Sequence, residues 1–490
     1  MSSMDEAQNV AFNWKRWLFL GMGVTLFLLV YYSPPWPDAV DPAGKSFVLS
    51  HQAKGALALF LLAGTFWVFE VLPIGVTGLL IGVIQALFFI RPASDAFKDF
   101  MDPSVLFIFG SLTIGMVFTK VGLTKRLAYK MLMIVGERTS RIYLGCFVVT
   151  ALLTHIMAHT AVAATMYPLL LAIYSLYTTD TKPTRFGKGL FIGMAFVAGA
   201  GSIVTLLGAA RGIVALGFYT EIANKEVSFF ELTYYMAPIG WLMVLLLWVF
   251  FMVLFKPERD RIPGLRQKAK QLSDEMGGLS RKEVGAGLIV LGAILFLSLQ
   301  SFVPALAAFN KSAVILVATV LFFVFDILDI HDLEAIPWNI ILLFAGAMSI
   351  GFCLWQTGAA EWLAINWLGF FTEAHWFVFV MGISLFVLLM TNFIMNVAAI
   401  AISLPVALVV APYLGVSSEV ILFAALTVAG MPFLLLVGAA PNAIAYSSRQ
   451  FTSGEFFAAG IPASILLLAV LGLIILLVWP LMGMPVYLGS

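Results

Sequence analysis

From residue 17 to residue 486 the chain is a succession of apolar runs, most about as long as a helix needs to cross lipid. A hydrocarbon core of about 30 Å takes about 20 apolar residues of helix per crossing, and backbone that is neither helix nor closed barrel cannot face lipid at that depth. An all-α polytopic membrane protein is therefore expected. Composition agrees, since 62% of the residues are hydrophobic and 11% charged, against roughly 45–50% and about 25% in soluble domains. Run lengths suggest about eleven transmembrane helices. Trp17 to Val30 is followed by no small-residue cleavage site, so it is read as a retained first helix.

Several function classes drop out early. Balanced charge, with 27 basic and 26 acidic residues, provides no basic stripe for nucleic acid. Cys146 and Cys353 stand in separate apolar runs without CxxC or Cys/His spacing, which suggests neither a disulfide framework nor a zinc site. A membrane enzyme would need an acid–base or metal constellation, and an anion channel a continuous polar pore. Neither is visible, and no motif calls for a cofactor.

The runs are not uniform. Segments 142–177 and 376–414 are too long for one crossing, while 187–221 and 420–449 are broken by glycine-rich loops. Interrupted helices survive at membrane depth only where protein or a water-filled cavity satisfies the freed backbone groups. The water-compatible stretch Lys256 to Glu283 divides the chain into an N-terminal part, 1–255, and a C-terminal part, 284–490. Its basic residues, with those of Lys125 to Arg141 and Thr181 to Lys188, mark the cytoplasmic face by the positive-inside rule, and Lys15 and Arg16 put the N-terminus there too. Segment 142–177 should therefore enter and leave from the cytoplasm of the cell membrane, as a re-entrant hairpin or as a pair of full spans. Segment 376–414, flanked by "TEAH" and "VSSE", should enter from outside.

The two parts repeat each other. "THIMAHTAVAATMYP" from Thr154 aligns without gaps on "TNFIMNVAAIAISLP" from Thr391, placing His159 on Asn396 and Pro168 on Pro405 at an offset of 237. Gly110, Gly115 and Gly122 match Gly346, Gly351 and Gly358 at an offset of 236, and "LLGAARG" from Leu206 matches "LVGAAPN" from Leu436 at an offset of 230. With the charge bias, these offsets imply two inverted-topology repeats, each with a re-entrant hairpin (142–177, 376–414) and a broken helix (187–221, 420–449). Such repeats characterise secondary transporters, whose sites lie near the midplane.

The motifs that carry a resemblance are "FEVLPIGVTGLL" from Phe69, "FGSLTIGMVFTKVGLTKRLA" from Phe109, "IPWNIILLFAGAMSIGFCLWQTGAAEWLA" from Ile336 and "GAAPNAIAYSS" from Gly438. Over nearly its whole length the chain resembles the divalent anion:sodium symporter (DASS) family, which includes dicarboxylate, citrate and sulfate cotransporters. The resemblance implies transport of a small anionic substrate across the bilayer, sodium as coupling ion, a homodimer, and an elevator-type alternating-access mechanism. It further implies that hairpin tips carrying Ser-Asn-Thr and the broken-helix loops form the binding site. Carried over, the substrate residues are His159, Thr160, Ala209, Arg211, Met395, Asn396, Val397, Ala440, Pro441 and Asn442. A first sodium site would involve Thr154, Ala158, His159 and Gly208, and a second Thr391, Ile394, Asn396 and Gly438.

The departures from that pattern are informative. The tips read Ala158-His159-Thr160 and Met395-Asn396-Val397, so both serines and one threonine are lost. Arg211 replaces a proline near the membrane centre, where an arginine costs at least ~2.5 kcal/mol unless a cavity or partner receives it. Its planar fork suits an anion; the alternatives are a salt bridge to an acid such as Glu70, or an arginine filling the place of the first cation. His159 has the side chain best suited to proton coupling. A di- or tricarboxylate or sulfate is the expected substrate class, with a sodium-independent exchanger or proton-coupled carrier as the alternative.

Overall fold

The computed structural model describes residues 14–40, 46–178, 182–368, 375–393 and 395–486. Ile394 and most of the "TEAH" loop lie outside the described residues. Among the described residues, apart from one short antiparallel pair, Ala39–Val40 with Ser46–Phe47, and a single bridge between Arg138 and Arg261, the secondary structure is helical. Nine described helices are long and apolar enough to cross a membrane, and four further apolar helices are shorter.

Helix α1 (Trp14–Tyr31) packs on α2 (His51–Val68), which Ser50 caps, and α3 (Ile74–Leu87) follows a break at Glu70 to Pro73. After a short α4 (Ala93–Lys98), α5 (Pro103–Val121) starts on Asp102 and Pro103, a carboxylate cap followed by a residue whose missing amide proton is no loss in a first turn. It stops at Gly122, whose φ of 89° favours glycine. Then come α6 (Leu123–Val135), α7 (Thr139–Thr154), α8 (His159–Tyr177), α9 (Arg185–Gly201), α10 (Ala210–Ala223) and α11 (Phe229–Leu254). The water-compatible stretch contains α12 (Leu265–Glu275), which lies along α6.

The second part opens with α13 (Arg281–Leu299), a short α14 (Pro304–Ala307), α15 (Lys311–Val324) against α5, and a short α16 (Ile330–Glu334). Helices α17 (Trp338–Gln356) and α18 (Ala359–Leu368) precede α19 (Trp376–Phe393), α20 (Asn396–Tyr413), α21 (Ser418–Ala429), α22 (Ala440–Tyr446) and α23 (Ser453–Leu473). Helices α3 and α17 cross backbone to backbone. A Cβ on Gly78 would strike the Leu342 carbonyl, and one on Gly346 would strike the backbone of Gly78, so only glycine allows this approach.

Hydrogen bonds tie the three basic segments to one face. Thr139 donates its amide to the Asp260 carbonyl (3.0 Å), Ile262 to Glu137 (2.9 Å), and the Tyr177 hydroxyl to Glu258 (2.9 Å). Both ends of the α7–α8 hairpin therefore sit at that face. Helix α9 starts there as well, since the Arg185 amide donates to Glu258 at 2.5 Å. Burial pushes the Glu258 carboxyl up, but the Arg185 and Phe186 amides and the Tyr177 hydroxyl outweigh it and hold it below the usual carboxylate range. At the far end of α10, Tyr219 donates to Glu419 (3.2 Å) at the start of α21. Beyond α22, Glu455 returns to the basic face and pairs with Lys188 (2.5 Å). The broken helix α9–α10 thus runs in the direction opposite to α21–α22.

The apolar run that starts the first broken helix continues to Leu207, but the helix stops at Gly201 and resumes at Ala210; that of the second continues to Val437, but the helix stops at Ala429 and resumes at Ala440. The reason is that Ile203, Val204, Leu206 and Leu207 are buried loop side chains, as is Phe433 in the second loop. Hydropathy alone cannot distinguish such a loop from helix.

Arg126 fixes α6 to the end of the water-compatible stretch. It pairs with Glu283 at 2.7 and 3.1 Å and donates to the carbonyls of Gly277 and Gly278, with both ionic side chains buried. Removing one partner of a buried pair leaves the other charge uncompensated at a cost of about 3 kcal/mol or more. Arg126→Ala should lower the melting temperature of the purified protein, and Arg126→Ala with Glu283→Gln should recover part of the loss; thermal unfolding in detergent checks both.

Candidate functional site

The sequence repeats place the same backbone at paired positions. Helix α7 ends at Thr154 and α8 begins at His159 after Ala158, with φ −55° and ψ 134°. Helix α19 ends at Phe393 and α20 begins at Asn396 after Met395, with φ −59° and ψ 143°. Ala209 (φ −162°, ψ 133°) and Ala439 (φ −153°, ψ 148°) likewise precede the second halves of the two broken helices. Gly122 and Gly358 share the left-handed conformation, with φ 89° and 79°.

All four helices that follow these residues begin without a side-chain cap. Alanine and methionine carry no oxygen to accept from the first-turn amides, where serine, threonine, asparagine or aspartate usually would. The uncapped ends meet at one cavity of about 1080 Å³. Its walls include Ala158, His159, Thr160, Ala209, Arg211, Met395, Asn396, Val397, Gly438 and Ala440. Helices α8, α10 and α20 are 19, 14 and 18 residues long, long enough to carry a developed positive N-terminal dipole. The cavity extends to Lys120, Lys125 and Leu272 of α12, so it reaches the basic face. The His159 and Gly212 amides are taken by the Gly208 and Ala209 carbonyls, but the other uncapped first-turn amides and the positive dipole ends around water-accessible space favour an anion.

The remaining candidates sit behind this wall. Pro441 and Asn442 are buried, and Asn442 donates to the carbonyls of Pro432 (2.9 Å) and Leu435 (3.0 Å), bracing the second loop rather than facing the cavity. Thr154 turns its hydroxyl back onto Ala151 (2.6 Å). His159 donates its backbone amide to the Gly208 carbonyl (3.1 Å), and its Nδ1 is buried without a partner. Arg211 is 2% exposed. Its Nη2 donates to the Ser202 hydroxyl at 2.8 Å, and Nη1 has no partner. Among the described residues no carboxylate pairs with it, which corrects the Glu70 alternative; Glu70 instead lies in the break after α2 with a φ of 47°.

The two tips differ in their fitness for a cation. At the second, the Thr391 hydroxyl lies 3.0 Å from Asn396 Oδ1 and 3.1 Å from the Ala429 carbonyl, which share its one proton, and the Thr391 carbonyl faces Gly438. Hydroxyl, amide and carbonyl oxygens suit a hard cation such as sodium. At the first, the Thr154 and Ser202 carbonyls likewise face Gly208, but Ala158 offers no side-chain oxygen, His159 stands where Asn396 stands in the second tip, and the Arg211 guanidinium lies against Ser202. That tip does not suit a second positive charge.

The residue the sequence reading missed is Asn392. Its Oδ1 accepts from the amides of Leu434 (2.8 Å) and Leu435 (3.2 Å), and its Nδ2 donates to Leu388 (2.7 Å), so it fastens the second loop to α19. The signal was present, since Asn392 directly follows Thr391 and pairs with His155 in the repeat. Ser202 gave no comparable signal.

The family model of the sodium:sulfate symporter transmembrane region matches residues 41–485. This chain belongs to the divalent anion:sodium symporter family. Like the rest of that family, it is a multi-pass secondary transporter of anions and not an enzyme. It is 24% identical over 460 residues to the sodium-dependent dicarboxylate transporter SdcS of Staphylococcus saprophyticus, covering 89% of this chain and 88% of the relative. The SdcS of Staphylococcus aureus strain bovine RF122 is 24% identical over 496 residues, covering 96% and 91%. Among solved structures, MtrF of Neisseria gonorrhoeae, described as one of a class of antimetabolite efflux pumps, superposes with a TM-score of 0.56. That match covers 94% of this chain and 93% of MtrF at 13% identity, and it shows a shared fold.

Asn392→Ala should leave two buried loop amides without an acceptor, at roughly 2 kcal/mol. Hydrogen exchange of the peptide spanning 430–439 is expected to accelerate while that of 202–209 stays as in the wild type.

Proposed function

We propose that the chain carries a small anion of the di- or tricarboxylate or sulfate class across the cell membrane, coupled to a cation. The observation that supports this reading is the meeting of uncapped helix N-termini, from two duplicated segments, at one cavity. First-turn amides of α8, α10 and α20 bind the anion, and the Thr160 hydroxyl and the Asn396 side-chain amide orient it. Sodium, when bound, supplies positive charge beside the anion, and Thr391, Asn396 and Gly438 would hold it. The names of the staphylococcal relatives support both a dicarboxylate and sodium.

The repeats at 1–255 and 284–490, inverted with respect to each other, give the site two equivalent approaches. Opposite chain direction in α9–α10 and α21–α22 supports this. In our reading the basic face is cytoplasmic, the cavity is open towards it, and the two hairpins with the broken helices move together, elevator-fashion, against a scaffold within a homodimer.

The test is uptake by proteoliposomes of labelled succinate, citrate and sulfate under an inward sodium gradient, an inward proton gradient, or internal unlabelled anion. Accumulation of at least one anion is expected, with Thr160→Val raising its KM about tenfold, a loss of about 1.4 kcal/mol. Absence of uptake under all three conditions would contradict the proposal.

A further inference from the structure

Three buried arginines show how this fold handles a guanidinium. Arg91 pairs with Asp99 (2.7 Å) and Arg126 with Glu283 (2.7 Å). Arg211, more buried than either at 2% exposure, has no carboxylate among the described residues. A charge at that depth still requires compensation.

Two helix C-termini lie beside it. Nη2 of Arg211 donates to Ser202, the residue that ends α9, and the Ser202 hydroxyl donates onward to the Gly199 carbonyl (2.8 Å). The same end of the guanidinium packs against Gly430, the residue that ends α21. A Cβ there would lie 2.7 Å from Nη2 and 3.2 Å from Cζ, so the absent side chain makes the space. The carbonyl end of a helix carries a partial charge of about −0.5. Two such ends amount to about one negative charge, matching one guanidinium. The backbone of Arg211, meanwhile, belongs to the first turn of α10 at the cavity wall. One residue therefore joins the cation-favouring ends of α9 and α21 to the anion-favouring end of α10.

We propose that Arg211 is a tethered cation: it fills the place between the ends of α9 and α21 that a mobile cation would otherwise take, so that only the second tip draws sodium from solution. This rests on the anion-transport reading above. The fixed charge travels with the protein in both directions. Each anion then moves with at most one sodium ion, held at the Thr391 and Asn396 oxygens.

The experiment has two readouts. Sodium is titrated against choline at constant ionic strength, first as thermal stabilisation of the detergent-purified protein without any anion, then as anion uptake by proteoliposomes. For the wild type both curves should have a Hill coefficient near 1; a flat curve or a coefficient near 2 would overturn the proposal without any variant. Arg211→Ser should gain a further sodium-dependent stabilisation, with the Hill coefficient rising towards 2, and Arg211→Lys should keep the wild-type curve. If Arg211→Ser keeps the wild-type sodium curve and instead binds the anion tenfold or more weakly, Arg211 is an anion ligand and the proposal is wrong. Because stabilisation is read without anion, failure of the transport reading itself would appear separately, as no uptake by the wild type.

Discussion

Ending a helix in the middle of a membrane leaves up to four amides or four carbonyls unpaired where no lipid can satisfy them, and the structure is organised around that constraint. Four helices start, and two broken helices stop, at the depth of one cavity. The starting ends face the cavity uncapped. The stopping ends of α9 and α21 face a guanidinium. Helix polarity thus separates the interior into a region suited to an anion and a region suited to a cation, using very few charged side chains.

Keeping the ends open requires that the loops beside them be held by something else. Asn392 and Asn442 clamp the second loop through its own amides and carbonyls. In the first loop, Thr205 donates to the His155 carbonyl (2.7 Å), and Ser111 of α5 donates to the Leu207 carbonyl (3.2 Å). Behind them the glycine-mediated crossing of α3 and α17 sets a close-packed scaffold. Fixed polar ends bind without reorganising, which is the advantage of building a site from backbone on rigid elements.

Much of this was legible in the sequence, because run length and repetition are strong signals. The hairpins, the broken helices and the pairing of Ala158 with Met395 and Ala209 with Ala439 follow from spacing alone. What spacing could not show was where an apolar loop replaces a helix, as at Ile203 to Leu207, since burial makes both hydrophobic. Nor could it show the partner of Arg211. A sequence search for a counter-charge looks for a carboxylate such as Glu70, whereas the compensation comes from helix ends, which have no letter in the sequence. The loss of serine at the tips also reads differently in three dimensions: it leaves α8 and α20 without a side-chain cap.

The central claim is that open first-turn amides, rather than side-chain charges, bind the anion. Ala158→Asp tests it most directly, because aspartate at that position can accept from the first-turn amides of α8 and place its own carboxylate where the anion would sit. Anion affinity is measured by scintillation proximity binding, alongside the melting temperature without anion. The account predicts an affinity at least tenfold weaker with a melting temperature unchanged or raised. Unchanged affinity in a folded Ala158→Asp protein would contradict it.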